Sequence, residues 1–215
     1  MNPLKADRVF LVPMTDSELA ELAQRHPDPE LRKAYGEMLA GCQSEPKSRL
    51  WHTGWKICLH GGICIGNAGF KGGPKNGAVE IGYGIEAQYR NQGYTTEAVG
   101  CLLRWAFAQK DVYFIEAETD PENIASQRVL QKLGFTLYGS GEEGPRFEKE
   151  RPQKEDSASF FCMGTGLGVA LGVSTGNLAL WLPLGTAIGL AIAAACRAED
   201  KKSRAQYRAL RGADR

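Results

Sequence analysis

Residues 80–98, EIGYGIEAQYRNQGYTTEA, hold the change of period that decides how this chain folds. Upstream of the change, Ala78 to Ile85 (AVEIGYGI) alternates apolar and polar or small residues and predicts a strand. Downstream, Thr96 to Phe107 places Val99, Leu102, Leu103, Ala106 and Phe107 on one helical face. A polar turn, Arg90-Asn91-Gln92-Gly93-Tyr94-Thr95, joins them, and the helix opens at Thr95 or Thr96. A helix N-terminus exposes unpaired N–H groups at the positive end of its dipole, so this turn suits an anion. Gly93 allows a positive φ and close backbone approach, and Arg90 adds positive charge. The same residues also fit an ordinary strand-to-helix turn.

Outward from this unit the elements alternate. Arg8 to Met14 (RVFLVPM) predicts a first strand. Ser17 to Cys42 is helix-prone, with Leu19, Leu22 and Ala23 on one stripe, and His26-Pro27-Asp28-Pro29 divides it into two helices. Leu50 to His60 and Gly62 to Phe70 read as strands of a hairpin turning at Gly61-Gly62. Tyr113 to Thr119 predicts a strand. Asp120 and Pro121 read as N-cap and first residue of a helix to Leu133, with Gly134 ending it and Phe135 to Tyr138 starting another strand. The expected order is β-α-α-β-β-β-α-β-α-β, a mixed α/β domain and not a doubly wound sheet.

The whole chain has 215 residues and a net charge of +1, enough for one full domain and an appendage. The absence of a basic excess argues against nucleic acid as a partner. Met1 to Val12 carries Lys5, Asp7 and Arg8 and no apolar run, unlike a secretory signal. The six cysteines include no C-x-x-C pair, so reduced thiols and a cytoplasmic main domain are expected.

Two motifs resemble those of the GNAT superfamily of acetyl-CoA-dependent N-acetyltransferases. The family signature Arg/Gln-x-x-Gly-x-Gly/Ala maps onto Arg90, Gly93 and Thr95, where Thr95 departs from the usual small residue. Asn123-x-x-Ser126 followed by Val129-Leu130-Gln131-Lys132-Leu133-Gly134-Phe135 is similar to the stretch N-x-x-S-x-x-(x)-L-x-K-x-G-F. That stretch belongs to the branch that includes ribosomal-protein N-terminal acetyltransferases. The resemblance covers residues 8–148 and implies the mixed central sheet of the acyl-CoA N-acyltransferase type.

It also implies a set of roles. Acetyl-CoA is the co-substrate, a primary amine the acceptor, and no metal takes part. Arg90, Asn91, Gln92, Gly93, Tyr94, Thr95 and Thr96 hold the pyrophosphate, chiefly through backbone N–H groups. The pantetheine amides pair with an open strand edge at Gly84, Ile85, Glu86 and Ala87. The N–H of Ile85 polarises the thioester carbonyl. Glu80 is the base that frees the amine's lone pair, with Glu116 and Glu118 as weaker candidates. The family's usual tyrosine acid is replaced by Leu130, which leaves Ser126 to serve the leaving thiolate. Asn123 contacts a pantetheine amide. The bland alternatives are a surface carboxylate for Glu80, a helix-face serine for Ser126 and a first-turn polar residue for Asn123. A non-catalytic acyl-CoA-binding module is the alternative function.

Two decoys are set aside. Gly82-Tyr83-Gly84-Ile85-Glu86-Ala87 fits a dinucleotide fingerprint, but its glycines lie inside a strand. His52, Cys58, His60 and Cys64 match no structural zinc spacing, and the two cysteines read as small core residues.

Residues 149–157 form a charged linker. The segment 158–197 is apolar and contains Gly164, Gly168, Gly172 and Gly176, continued by Gly185, Gly189 and Ala193. Small residues at four-residue spacing let helices approach closely, similar to bacterial glycine-zipper proteins. Phe160–Gly176 and Leu178–Cys196 each have the length to span about 30 Å of hydrocarbon. A helical hairpin turning near Asn177 is expected, embedded in a membrane or self-associating. Pro183 is the obstacle, because a turn extending that far would leave the second helix too short. Residues 198–215 form a charged tail, helical in part.

Overall fold

The computed structural model describes residues 3–153 and 157–213. It divides into two compact units, residues 1–151 and 152–215.

In the first unit, β1 (Leu4–Lys5) and β2 (Val9–Pro13) precede α1 (Asp16–Arg25) and α2 (Pro29–Ser44). Thr15 and Glu18 close a capping box on α1, and Asp28 caps α2 with Pro29 in its first position. Next come β3 (Gly54–Leu59), β4 (Cys64–Phe70) and β5 (Ala78–Ile85), then α3 (Tyr94–Phe107) and β6 (Phe114–Glu118). The unit ends with α4 (Ile124–Lys132), β7 (Thr136–Ser140) and β8 (Pro145–Glu150). The eight strands form one sheet in the order β1-β2-β3-β4-β5-β6-β8-β7. Every pairing is antiparallel except β5 with β6. The mixed α/β sheet expected from the sequence is therefore present, with α3 as the crossover between its parallel strands.

The core explains the arrangement. Val99, Leu102, Leu103 and Ala106 of α3 are buried against Val9, Ile57, Ile81 and Ile115 in one cluster. Met14, Leu19, Tyr35 and Cys42 form a second cluster, to which α1 and α2 contribute. Fully burying side chains of this size contributes about 1.5–3 kcal/mol each.

Several boundaries differ from the sequence reading. β1 and β8 were not expected, and β8 takes in Lys149 and Glu150, the start of the expected linker; residues 154–156 of that linker lie outside the described residues. Leu50 and Trp51 belong to a 3-10 turn, Pro46–Trp51, and not to a strand. α4 is capped by Asn123; Asp120 instead accepts from the amide of Glu122 (2.7 Å) in the preceding turn. The thiol expectation is also corrected. Cys58 and Cys64 are cross-strand partners in the β3–β4 hairpin, their Cα atoms 3.9 Å apart, and they form a disulfide. Cys64 is exposed, not a core residue.

In the second unit, α5 (Ser157–Thr175) and α6 (Leu178–Ala213) form a hairpin. Gly176, at φ 71°, makes the turn, and Asn177 Oδ1 accepts from the amide of Leu180 (3.2 Å). The turn ends there, so Pro183 lies inside α6 and removes a single interior hydrogen bond. The charged tail simply continues α6 as far as Ala213.

The helices meet through their glycines. A Cβ at Gly164 would collide with the carbonyl of Gly185, and one at Gly189 with that of Phe160. Gly164, Gly168, Gly172, Gly185 and Gly189 are buried. Met163, Leu167, Val173 and Leu180, by contrast, are each at least 55% exposed.

Candidate active site

The site is built where β5 loses its neighbour. The Glu86 amide donates to the carbonyl of Ile65 and the Lys71 amide to that of Glu80, both at 2.9 Å. Even-numbered backbone groups of β5 therefore face β4, and alternation turns the amides of Tyr83 and Ile85 to the other edge. β6 pairs with that edge only over Ala78–Glu80, opposite Phe114–Glu116. Beyond Glu80 the two parallel strands separate. The amides of Tyr83 and Ile85 face the gap, whereas that of Glu86 is already used.

At the end of β5 a 3-10 turn, Ala87–Tyr89, leads into the predicted anion loop. Arg90 and Gln92 are exposed, Asn91 has φ 60°, and Gly93 has φ 84° as the residue before α3. No side chain caps α3, unlike α1, α2 and α4. The first helical bond runs from the amide of Glu97 to the carbonyl of Gly93 (3.1 Å). The amides of Tyr94, Thr95 and Thr96 therefore have no partner within the helix.

Arg8, which sequence reasoning passed over, clasps this loop from outside. Its Nη1 donates to the Gln92 carbonyl (3.0 Å), its Nε to Glu97 Oε2 (2.8 Å), and its guanidinium lies 4.7 Å from the Tyr94 ring centre. The amides of Arg8 and Val9 donate to Glu97 Oε1. Burial alone would push the Glu97 carboxyl up, but these amides and the guanidinium outweigh it and hold the pKa below its usual value.

On one face of β5, Glu80, Gly82 and Gly84 lie in line. A Cβ on either glycine would meet open space, so the strand offers a bare floor beside Glu80. An open groove of about 1220 Å³ runs over it, lined in part by Tyr35, Asn67, Lys71, Gly82 and Gly84. It adjoins, through Lys71, an acidic recess of about 480 Å³ lined by Glu80, Glu118, Glu142, Glu143 and Arg146. Lys71 Nζ is 2.6 Å from Glu80 Oε1 and 3.3 Å from Glu143 Oε1. Burial would lower the Lys71 pKa, but its two carboxylate partners raise it overall. Glu80 is thus an ion-paired residue of the acidic recess, not a free surface carboxylate. Glu118 is only 6% exposed and pairs with Arg146 (3.0 Å). It also accepts from the amides of Glu143 and Gly144, organising the β7–β8 turn. Burial pushes its carboxyl up, and these donors bring it below the usual carboxylate value.

On the opposite face of β5, Tyr83 reaches α4, its Oη 3.0 Å from Ser126 Oγ. Tyr83 is a second residue the sequence reading missed. Asn123 Oδ1 accepts from the Ser126 amide (3.1 Å) as the helix cap; its side-chain nitrogen takes no part in the cap. Leu130 is fully buried.

Among the described residues, no three His, Cys, Asp or Glu side chains gather as metal ligands. His52 lies 3.4 Å from Glu45, and His60 Nε2 lies 2.8 Å from the Asp7 carbonyl.

This geometry has counterparts. Residues 8–136 match the Acetyltransferase (GNAT) domain family. YjdG of Bacillus subtilis, described as an uncharacterized N-acetyltransferase, is 40% identical over 74 residues, 34% of this chain and 44% of the relative. The chain thus spans less than half the length of that curated relative. The ribosomal-protein-S5-alanine acetyltransferase of Vibrio fischeri superposes with a TM-score of 0.57 at 16% identity, over 71% of this chain and 98% of that one. RimL, a ribosomal L7/L12 alpha-N-protein acetyltransferase solved with coenzyme A, gives a TM-score of 0.56 at 15% identity, over 69% and 98%. By its sequence match over most of the first unit, and with a fold to agree, this chain belongs to the GNAT acetyltransferase family.

Proposed function

We propose that the chain is an N-acetyltransferase that moves the acetyl group of acetyl-CoA to a primary amine by direct attack in a ternary complex. The observation that carries this is the uncapped start of α3 at the end of an open strand edge. One anionic, amide-bearing ligand would satisfy both. The amides of Tyr94, Thr95 and Thr96, with Arg90, Asn91, Gln92 and Gly93 around them, would receive the pyrophosphate. The β5 edge as far as Ile85, Glu86 and Ala87 would guide the pantetheine arm, with the side-chain nitrogen of Asn123 on its other side.

Glu80 takes the proton from the acceptor amine. Strand rise of about 3.3 Å per residue puts Ile85 about 16 Å from Glu80 and Tyr83 about 10 Å. Tyr83's amide is therefore the better oxyanion donor, since a base must work within one water of the attacking nitrogen. Lys71 occupies the place beside Glu80 that an incoming ammonium would take. The carboxylates of the recess favour a cationic acceptor, and a protein N-terminus is one such group.

The hairpin of α5 and α6 tethers the enzyme to a bilayer. Its small residues are inside and its large apolar residues outside, the reverse of a soluble helical pair. Residues 157–196 carry no charge, and a helix of 19 residues is about 28 Å long, close to the hydrocarbon thickness. Lys201, Lys202 and Arg204 then sit on the cytoplasmic side.

The test is release of free thiol from acetyl-CoA by the full chain, with peptide N-termini and polyamines as acceptors and products identified by mass. Acceptor-dependent thiol release with a matching acetylated amine is expected. Binding of acetyl-CoA without release would favour the non-catalytic module.

A further inference from the structure

The family's tyrosine is missing from α4, yet a phenol reaches that helix from the sheet. Tyr83 Oη lies 3.0 Å from Ser126 Oγ and 3.3 Å from the Ser126 carbonyl oxygen. We propose that Tyr83 is a positioning residue that aims the Ser126 hydroxyl at the sulfur of the departing coenzyme A thiolate. The inference rests on the acetyl-transfer reading above.

Each hydroxyl has one proton to donate. A serine in the first turn of a helix can spend its proton on the carbonyl one turn back, and is then lost to a ligand. Tyr83 Oη has two acceptors for its one proton, the Ser126 carbonyl at 3.3 Å and Ser126 Oγ at 3.0 Å. When the proton is shared with or given to the nearer Oγ, it fills an acceptor site on that oxygen and leaves the serine proton free to point into the gap. The amide of the same Tyr83 faces that gap. One residue thus addresses both atoms of the breaking thioester: its backbone N–H the carbonyl oxygen, its side chain, through Ser126, the sulfur.

Burial pushes the Tyr83 phenol above its usual pKa, more than the Ser126 hydrogen bond lowers it. It stays protonated, and able to donate, throughout the neutral range.

The step balances. The amine nitrogen forms a C–N bond, the C–S bond breaks, and its electron pair goes to sulfur. Glu80 takes the proton lost by the amine and passes it to water. Ser126 gives its proton to sulfur and regains one from water, while Tyr83 keeps its own throughout. The products are an amide and a free thiol, with every residue restored.

Tyr83→Phe, Ser126→Ala and the double variant in the full chain provide the test. Tyr83→Phe keeps the ring, so the melting curve should stay close to wild type. Its kcat should fall about tenfold while KM for acetyl-CoA changes less than about twofold. The more specific readout compares the affinities of coenzyme A and its desulfo analogue at alkaline pH, where the bound sulfur is a thiolate. Wild type should prefer coenzyme A, and both single variants should lose that preference to the same extent, with no further loss in the double variant. Ser126→Thr, which keeps the hydroxyl, should retain it. A Tyr83→Phe variant with wild-type kcat and preference would overturn the proposal, as would additive losses in the double variant. The binding comparison needs no turnover. It therefore reports on Tyr83 even if the chain transfers no acetyl group, a result that would sink the proposed function alone.

Discussion

Gly93→Ala tests the cofactor loop with one added carbon. Gly93 sits at φ 84° at the start of α3. An L-residue held there costs about 1–2 kcal/mol. The added Cβ would lie 3.2 Å from Arg8 Nη2, a tight contact with a guanidinium that Glu97 and Gln92 already hold. If the loop keeps its shape, strain alone should lower Tm by about 2–8 °C. If it relaxes to negative φ, the amides of Tyr94 to Thr96 turn away from the anion. A hydrogen bond to a charged group contributes about 1.5–3 kcal/mol. Losing one would raise Kd about 10- to 150-fold. Calorimetric titration of the full chain with coenzyme A, beside a thermal melt, separates the two effects. A lowered Tm with Kd within about twofold of wild type would show that the loop is strained but does not hold the pyrophosphate, and the reasoning would fail.

Glu80→Gln should lower turnover at neutral pH by about 100-fold or more, the usual span of general-base catalysis. Part of the loss should return at high pH, where the acceptor amine is already neutral; an unaltered pH–rate profile would make Glu80 a structural residue. The Arg8–Glu97 clasp should show in stability. A carboxyl whose folded pKa lies below 4.5 stabilises the fold above that value and loses the contribution as pH falls through the lower folded pKa. The Tm gap between wild type and Arg8→Ala should thus be full at neutral pH and vanish in acid well below 4.5; a pH-independent gap would mean that Arg8 acts by packing alone. A chain ending at Arg151 retains the unit that matches nearly whole solved neighbours. It should be soluble and active, while the full chain partitions with membranes. Gly168→Leu with Gly172→Leu should leave that partitioning intact, because it depends on length and apolarity. The hairpin itself should become easier to proteolyse, since the new side chains would strike the Trp181 carbonyl and Leu178. Wild type in the soluble fraction without detergent would refute the tether.

What could be read from the sequence was what local chemistry determines. Period two marked β5, period 3.6 marked α3, and Gly93 marked the joint between them. The break between α1 and α2 at His26-Pro27-Asp28-Pro29 followed from local chemistry in the same way. At α4 the same local signature pointed to Asp120 as the cap, and the structure overturns it. Asn123 caps the helix instead, because Asp120 closes an earlier turn on Glu122. The cysteine pair needed the hairpin register, which slips between Ile57 and Cys58; no spacing rule contains that slip.

The residues missed at the site have a common cause. Arg8 and Glu97 are 89 positions apart, and Tyr83 and Ser126 are 43 apart. Period two correctly places Tyr83 on the core face of β5, together with Val79 and Ile81. It does not say which helix will cover that face at that height. That depends on β6 lying parallel to β5 and parting from it after Glu80, which brings the first turn of α4 over the upper half of β5. The parting that opens an edge for the pantetheine arm is therefore the same feature that brings Ser126 to Tyr83. A substitution that extended the β5–β6 pairing beyond Glu80 should close the edge and separate the two hydroxyls together, so coenzyme A affinity and the preference over its desulfo analogue should be lost in step.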